Sequence, residues 1–170
     1  MTKLDYRHAV YAGSFDPITL GHTSIIERAI RLYERVTVAV GVNVHKSSMF
    51  SIDQRVDFIK RAVGSHPGLD VVAFEGLLVD FARQSGAGVI LRGLRMLTDF
   101  EGEFQLALGN RDLSADIETV FLMTDSEFVY VSSSLVKEIA SNGGDISRYI
   151  PAPLLADVVA RFSAAKGSGG

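Results

Sequence analysis

The sequence predicts one α/β domain of Rossmann-like type, in which a doubly wound, five-stranded parallel sheet carries helices on both faces. Short apolar runs alternate with helical patterns along nearly all of its 170 residues, and this alternation favours parallel strands joined by helices. Neither an internal repeat nor an interdomain linker interrupts the order. We therefore assign residues 1–166 to a single domain and residues 167–170, with the sequence Gly-Ser-Gly-Gly, to a flexible tail.

The first two predicted strands are separated by an amphipathic helix. Residues 9–12 form a short apolar run that is typical of a buried strand. After a turn at residues 13–17, apolar residues recur at spacings of three and four between Ile25 and Tyr33, which indicates a helix with one buried face. Residues 35–42 are rich in β-branched side chains and predict the second strand.

The later elements follow the same alternation. A polar loop at residues 43–49 precedes Ser51 and Gln54, a capping-box pair that predicts the start of the second helix. Beyond it we predict a strand at 69–74, a short helix after Gly76, a strand at 89–91, a long helix from Asp99, a strand at 117–123, an extended segment at 128–132, a helix from Ser132 to Ile139 and a last helix from Pro151. Because such sheets bind ligands at the carboxyl ends of their strands, the residues that follow each strand are the candidates for function.

Composition excludes several functions. Seventeen basic residues against 20 acidic ones give a net charge of −3, so we expect no nucleic-acid partner, which would need a broad basic surface. The chain has no cysteine, which excludes disulfides, thiolate metal sites and thiol catalysis. No apolar run has the length of a membrane span, and the N-terminal residues lack a signal-peptide core. We expect a cytoplasmic protein with no membrane partner.

The residues after the first strand are suited to binding phosphate. Gly13 and Ser14 break the strand, and residues from Thr19 to His22 lead into the first helix. A strand, a glycine turn and a helix N-terminus together present backbone N–H groups and a positive helix end to an anion. The hydroxyl of Ser14 and the imidazole of His22 would lie beside that anion. Alternatively, Gly21 is only a turn residue and His22 a polar residue that faces water.

Cationic side chains follow two later strands. Lys46 comes after the second strand, and Arg92 and Arg95 come after the fourth. Taken singly, Lys46 is an ordinary solvated lysine, and the arginines are candidates for ion pairs with Asp99 or Glu101. Because the carboxyl ends of parallel strands meet at one edge, these cations are expected to converge with the first phosphate-binding turn. Their convergence predicts a polyphosphate site.

Three consecutive serines, Ser132, Ser133 and Ser134, open the helix after the fifth strand. Without context, Ser132 is an ordinary helix N-cap and its neighbours are surface residues. At this edge of the sheet, however, they predict a second phosphate-binding helix N-terminus opposite the first. Two opposed helix N-termini suit a triphosphate better than a monophosphate.

Other kinds of site find no support in the sequence. Neither G-x-x-x-x-G-K-[ST] nor G-x-S-x-G is present, and no G-x-G-x-x-G follows the first strand. His8, His45 and His66 lie in unrelated contexts without the spacing of metal ligands.

Five stretches carry a more specific resemblance. They are G-S-F-D-P-I-T-L-G-H at residues 13–22, Lys46 with M-F at 49–50, I-L-R-G-L-R at 90–95, D-F-E-x-E at 99–103 and V-S-S-S-L-V-K-E at 131–138. The T-x-G-H pattern alone resembles the nucleotidylyltransferase superfamily. Together with R-G-L-R and S-S-S-L-V-K-E, it resembles the bacterial phosphopantetheine adenylyltransferases from Val10 to about Leu155.

The resemblance implies an enzyme that transfers the adenylyl group of ATP to 4′-phosphopantetheine, with Mg²⁺ assisting, and that assembles as a homohexamer. It implies no protein side chain as metal ligand. Carried over by motif, the ATP-binding residues would be Ser14, Phe15, His22, Gly93, Leu94, Arg95, Glu103, Phe128, Val129, Tyr130, Val131, Ser132, Ser133 and Ser134. The acceptor-binding residues would be Ser14, Lys46, Leu78 and Arg92, and the catalytic residues His22, Lys46 and Arg95.

The sequence departs from the family pattern in places. Ser14 stands where many members have threonine, which keeps the hydroxyl, and Ala12 and Val44 replace common prolines. Gly102 replaces a frequent tyrosine, so any contact from that side chain is missing. Two other functions stay open. A sister enzyme that acts on nicotinamide mononucleotide or glycerol phosphate would share T-x-G-H, and a regulatory module would bind ATP without turnover.

Overall fold

A computed structural model describes residues 3–42 and 47–167 of the chain. Its strands are β1 (Asp5–Gly13), β2 (Arg35–Gly41), β3 (Leu69–Phe74), β4 (Ala87–Leu94) and β5 (Glu118–Met123), and its α-helices are α1 (Leu20–Leu32), α2 (Ile52–Val63), α3 (Leu78–Gln84), α4 (Leu97–Leu113), α5 (Ser133–Ser141) and α6 (Leu155–Gly167). The strands form one sheet in the order β3-β2-β1-β4-β5, and all neighbours are parallel. The predicted fold class is confirmed.

The central strand, β1, is covered on both faces. Ala9 and Tyr11 belong to a core cluster with residues of α1, α2, α5 and α6. Val10 and Ala12 belong to a second cluster with residues of α3. Because successive side chains of a strand point to opposite faces, the continuous apolar run of β1 reflects burial on both sides of the sheet.

The strand order reverses beside β1. The chain passes from β1 outward to β2 and β3 and then returns to the other side of β1 to form β4 and β5. Sheets of this kind bind ligands at the carboxyl ends of the strands, next to this reversal. The carboxyl ends of β1 and β4 therefore mark the expected site.

Several predicted boundaries were wrong. β4 runs to Leu94, three residues beyond the predicted strand, because Arg92 and Gly93 continue to pair with β5. Hydrophobicity does not reveal this, since Arg92 and Gly93 interrupt the apolar run while backbone pairing continues to Leu94. Likewise, α4 begins at Leu97, before Asp99.

The segment predicted to be extended at 128–132 contains turns instead. A 3₁₀ helix spans Ser126–Phe128, and the N–H of Val131 donates to the carbonyl of Phe128. Asp125, the residue before this helix, is held by the hydroxyl of Ser24 in α1 at 2.6 Å. This contact with a distant residue is invisible in the local pattern. A second 3₁₀ helix, Ala152–Leu154, precedes α6.

The capping box predicted for α2 is confirmed, because Ser51 and Gln54 exchange side-chain-to-backbone hydrogen bonds of 3.0 and 3.2 Å. At the other end of the chain, α6 ends at Gly167. This glycine is the first residue of the predicted tail, and the remaining tail residues, 168–170, lie outside the described residues.

Candidate active site

A cleft of about 480 Å³ opens at the carboxyl ends of β1 and β4. It brings together many of the residues singled out in the sequence, which are Ser14, Phe15, His22, Arg92, Gly93, Arg95, Glu103 and Ser132, Ser133 and Ser134. The N-terminal ends of α1 and α5 both contribute to its walls. The predicted convergence of strand ends and helix starts is therefore present in the fold.

Other predicted residues do not line this cleft. Leu94 is buried, and its carbonyl accepts the N–H of Thr124 at 2.7 Å. Leu78 packs against the second core cluster. Val131 lines a smaller adjoining cavity of about 50 Å³. Three further predicted residues, Phe128, Val129 and Tyr130, do not line the cleft either. Lys46 lies outside the described residues.

Six lining residues were not among the predicted site residues, namely Tyr11, Ala12, Gly13, Asp99, Gly102 and Leu106. Tyr11 was hidden within the apolar run of β1. Asp99 and Glu103 are four residues apart on α4, a spacing that places both carboxylates on one helix face and could have identified Asp99. A side chain at Gly102 would meet nothing within 4 Å of its Cβ. The departure from tyrosine therefore leaves open space at the cleft wall.

The turn after β1 depends on the close packing of Gly13 and Phe15. Phe15 has a φ of 47°, which is in the left-handed region, and it is buried. Its ring lies so close to Gly13 that a Cβ there would be 3.0 Å from it. The ring also packs edge-on against Tyr11 and His22, with centroids 5.5 and 5.1 Å away. Phe15 therefore forms the floor of the cleft, beneath the exposed Ser14.

His22 is held by the N-cap of α1. The backbone N–H of Thr19 donates to Nδ1 of His22 over 3.0 Å, and the hydroxyl of Thr19 lies 2.9 Å from the same nitrogen. Because Nδ1 accepts, the proton of the neutral ring is on Nε2. Burial, aided by the positive charge of Arg95, lowers the pKa of His22 to about 4. At neutral pH the ring is therefore uncharged and its Nε2–H is a fixed hydrogen-bond donor.

This low pKa predicts a pH dependence of stability. In the unfolded chain the ring takes up a proton near pH 6.5, its ordinary pKa, whereas the folded protein resists protonation down to about pH 4. The unfolded state then binds more protons in this window, so stability falls as the pH is lowered through it. Between pH 7 and pH 5 we expect His22→Gln to lose about 2 kcal/mol less unfolding free energy than the wild type.

Urea unfolding of both proteins at the two pH values measures this difference. Burial also lowers the pKa of His8, but His8 is present in both proteins and its contribution cancels. Equal losses in the two proteins would contradict the expected titration of His22.

Both cleft arginines form bidentate ion pairs with carboxylates on α4. Arg92 pairs with Glu103 at 2.5 and 2.7 Å, and Arg95 pairs with Asp99 at 2.9 and 3.2 Å. The ion-pair alternative was therefore right for Arg95 and Asp99, whereas Arg92 pairs with Glu103 instead of Asp99 or Glu101. Burial disfavours the charged form of Arg92, but its hydrogen bonds to Glu103 and the negative charge of that carboxylate together outweigh burial and raise the pKa of Arg92.

The ion pair with Glu103 uses only some of the N–H groups of Arg92. Arg92 also donates from Nη1 to the carbonyl of Ala12 at 2.9 Å, which brings its hydrogen bonds to three. A guanidinium has five N–H groups, so two of them have no partner among residues 3–42 and 47–167 and are available to a ligand in the cleft. The carboxylate and the carbonyl hold the guanidinium in place beside the end of β1.

The serines at the start of α5 have different partners. Ser132 is the N-cap of the helix and accepts the N–H of Leu135 at 3.0 Å, so the N-cap reading was right. Ser133 donates to the carbonyl of Pro17 at 2.8 Å, and Ser134 is exposed. Since the helix start itself lines the cleft, N-capping and anion binding by its backbone are compatible.

The described parts of the chain, 3–42 and 47–167, contain no group of three or more histidine and acidic side chains that could hold a metal ion. The two carboxylates of the cleft, Asp99 and Glu103, are engaged by arginines. No helix in the same described parts is both long and apolar enough to span a membrane.

The fold and the cleft together define a protein of the cytidylyltransferase-like class, and a family model of that description matches residues 10–139. The chain is 47% identical over 163 residues to phosphopantetheine adenylyltransferase of Clostridium perfringens, covering 96% of this chain and 99% of that protein. It is 50% identical over 155 residues to phosphopantetheine adenylyltransferase of Synechococcus elongatus, covering 91% and 93%. The chain therefore belongs to the phosphopantetheine adenylyltransferase family, as the sequence motifs predicted.

The fold is also found in more distant proteins. A bifunctional NMN adenylyltransferase/ADP ribose pyrophosphatase from Francisella tularensis superposes with a TM-score of 0.69, covering 94% of this chain and 50% of that one. At 15% sequence identity, this likeness concerns the fold alone.

Proposed function

We propose that the protein transfers the adenylyl group of ATP to 4′-phosphopantetheine, with dephospho-coenzyme A and pyrophosphate as products. Family membership supports this reaction. Among the structural observations, the one that carries most weight is the convergence of two helix N-termini and two arginines on one cleft at the strand reversal. That arrangement is suited to binding a polyphosphate together with a second phosphate group.

The reaction requires little covalent chemistry from the protein. The acceptor already carries a nucleophilic phosphate oxygen, so direct in-line attack on the α-phosphorus needs no activated serine or cysteine. The protein must align the two substrates and stabilise the charge that gathers on the phosphoryl oxygens. Fixed donors in a partly buried cleft serve this purpose.

His22 is the proposed donor to the α-phosphoryl oxygens, because the contact with Thr19 leaves its Nε2–H opposite the cap. Arg95 would stabilise the leaving pyrophosphate, together with the backbone at the start of α5. Arg92 would bind the acceptor phosphate with its two remaining N–H groups. Lys46 keeps its predicted place as a point charge between the acceptor phosphate and the α-phosphate.

The remaining assignments follow the family motifs. Ser14 would lie at the junction of the two substrates and contact both, and Gly93 would allow ATP to approach β4. Phe15 would form the floor of the cleft beneath ATP. Glu103 would contribute to ATP binding from its place beside Arg92. The contacts proposed from the resemblance alone are those of Leu78 with the acceptor and of Leu94, Phe128, Val129, Tyr130 and Val131 with ATP.

Mg²⁺ is the cation that we propose for this reaction, where it would neutralise phosphate charge. The described residues of the cleft do not offer a set of protein ligands for it, because Asp99 and Glu103 are paired with arginines. Mg²⁺ would therefore enter with ATP, held by phosphate oxygens and water.

We also propose that the protein is cytoplasmic and assembles as a homohexamer. Several large apolar side chains on α4 are exposed in the single chain, among them Phe100, Phe104, Leu106, Leu108 and Leu113. Exposed apolar side chains in this number are typical of an assembly surface. Light scattering of the purified protein should give six chains per particle, and a monomer would contradict the proposal.

The reaction is tested by pyrophosphate release from ATP and Mg²⁺ with a panel of acceptors. Wild-type protein should release pyrophosphate with 4′-phosphopantetheine and not with nicotinamide mononucleotide, glycerol phosphate or water alone. Release with another acceptor would keep the chemistry but overturn the proposed substrate. Binding of ATP without release in any reaction would favour a regulatory module.

A further inference from the structure

Asp16 is a buried carboxylate in the turn between Ser14 and α1, and no step of the proposed reaction uses it. It is 5% exposed. Its two oxygens accept the backbone N–H groups of Met49 and Phe50, each at 2.9 Å. One of these oxygens also forms an ion pair with Lys137 at 3.2 Å. The carboxylate therefore joins the β1–α1 turn, the connection that leads into α2, and α5.

Lys137 connects this turn to the opposite wall of the cleft. It lies on α5, three residues after Ser134, so it is about one helical turn from the start that lines the cleft. A second link runs in parallel, because the hydroxyl of Ser133 donates to the carbonyl of Pro17 at 2.8 Å. The start of α5 is thus attached at two points to the turn that carries Ser14.

A third group fixes the same turn from α2. Arg55 is 4% exposed, and its Nη1 donates to the carbonyl of Ser14 at 2.8 Å. Its Nε is buried with no hydrogen-bond partner among the described residues. Burying charged groups in this way costs free energy unless close ion pairs and hydrogen bonds compensate for the lost hydration. Packed apolar residues in the same place often give equal or greater stability. The buried charges around this turn therefore indicate that they fix its position, beyond any contribution to stability.

We infer that Asp16 and Lys137 are positioning residues that set the spacing between the two phosphate-binding walls of the cleft. One wall carries Ser14 and His22, and the other is the start of α5. The pair acts through these groups and does not touch the substrates itself. This inference rests on the proposed function for its kinetic consequences, although the spacing of the walls can be measured without turnover.

The kinetic test uses Lys137→Met, which removes the charge and keeps most of the side-chain length. A shift of about 1 Å between reacting groups lowers rates by up to about 100-fold. We expect kcat to fall by about 10- to 100-fold while KM for ATP changes less than about threefold. Lys137→Arg should restore most of kcat, and Asp16→Asn combined with Lys137→Met should be no slower than Asp16→Asn alone. Lys60→Met, at an exposed lysine of α2, is the matched control and should keep wild-type kcat.

The structural test measures the distance between α1 and α5. Because the chain contains no cysteine, spin labels can be attached uniquely at Glu27→Cys and Glu138→Cys, both of which replace exposed residues. Lys137→Met should shift or broaden the distance distribution, and Lys60→Met should leave it unchanged.

Two outcomes would overturn the inference. A kcat within twofold of wild type in Lys137→Met, even with a lowered melting temperature, would overturn it and leave the pair a stabilising contact. An unchanged distance distribution would overturn it as well. If the wild-type protein turned over no acceptor, the proposed function would fail, and the distance measurement alone would decide the role of the pair.

Discussion

Replacing His22 by alanine is expected to lower kcat by about 100- to 1,000-fold, with a change in KM for ATP of less than about threefold. The reason is that its Nε2–H is fixed before the substrate arrives, by the contact between Nδ1 and the backbone of Thr19. Removing one preorganised donor of this kind typically raises the barrier by about 3–4 kcal/mol. Steady-state kinetics of pyrophosphate release measures both constants.

Two further variants sharpen this prediction. His66→Ala removes an exposed histidine beside Pro67 and should keep wild-type kcat. His22→Gln retains an N–H donor near the position of Nε2 and should be faster than His22→Ala. In the wild type, kcat should show no ionisation of His22 between pH 6 and pH 8, because its pKa is about 4. Unchanged kcat in His22→Ala would remove this residue from the mechanism.

Replacing Arg92 by methionine is expected to raise KM for 4′-phosphopantetheine by about 10- to 100-fold. A hydrogen bond between charged groups contributes about 1.5–3 kcal/mol, and the two N–H groups left over from Glu103 and Ala12 are proposed to contact the acceptor phosphate. The loss also leaves Glu103 without its guanidinium partner, so a partly buried negative charge faces the incoming phosphate. Acceptor titrations at saturating ATP measure the effect.

Arg83→Met is the matched control for Arg92. Arg83 makes a similar bidentate pair with Asp116, at 2.5 and 3.0 Å, and neither residue lines the cleft. This variant should lose stability without a change in KM for the acceptor. If Arg92→Met also lost only stability, Arg92 would be a structural partner of Glu103 and the proposed acceptor site would be wrong.

Periodicity along the chain was sufficient to predict the fold class. The alternation of apolar runs and helical patterns reflects burial of the sheet on both faces, as the two core clusters around β1 illustrate. The capping box at Ser51 and Gln54 could be predicted from the sequence because both partners lie within one helical turn. The family followed from motifs that are each continuous in sequence.

The strand ends were predicted less well. β4 continues through Arg92 and Gly93 because these residues pair with β5, more than 25 residues later. In the segment of turns after β5, Asp125 accepts a hydrogen bond from the hydroxyl of Ser24 in α1. Neither partner can be identified from local composition, since each is brought close only by the folded sheet.

The sequence by itself determined the fold class, the family and the edge of the sheet where the cleft lies, because these depend on local spacing and on the order of elements. Only the tertiary structure decided the protonated nitrogen of His22, the pairing of Arg92 with Glu103, and the link from Asp16 to Lys137. Ion pairs and hydrogen bonds form between groups that are close in space, whatever their separation along the chain. Asp16 and Lys137, for example, are separated by 121 positions in the chain. The residue types were visible in the sequence, but their state and orientation follow from the neighbours that folding supplies.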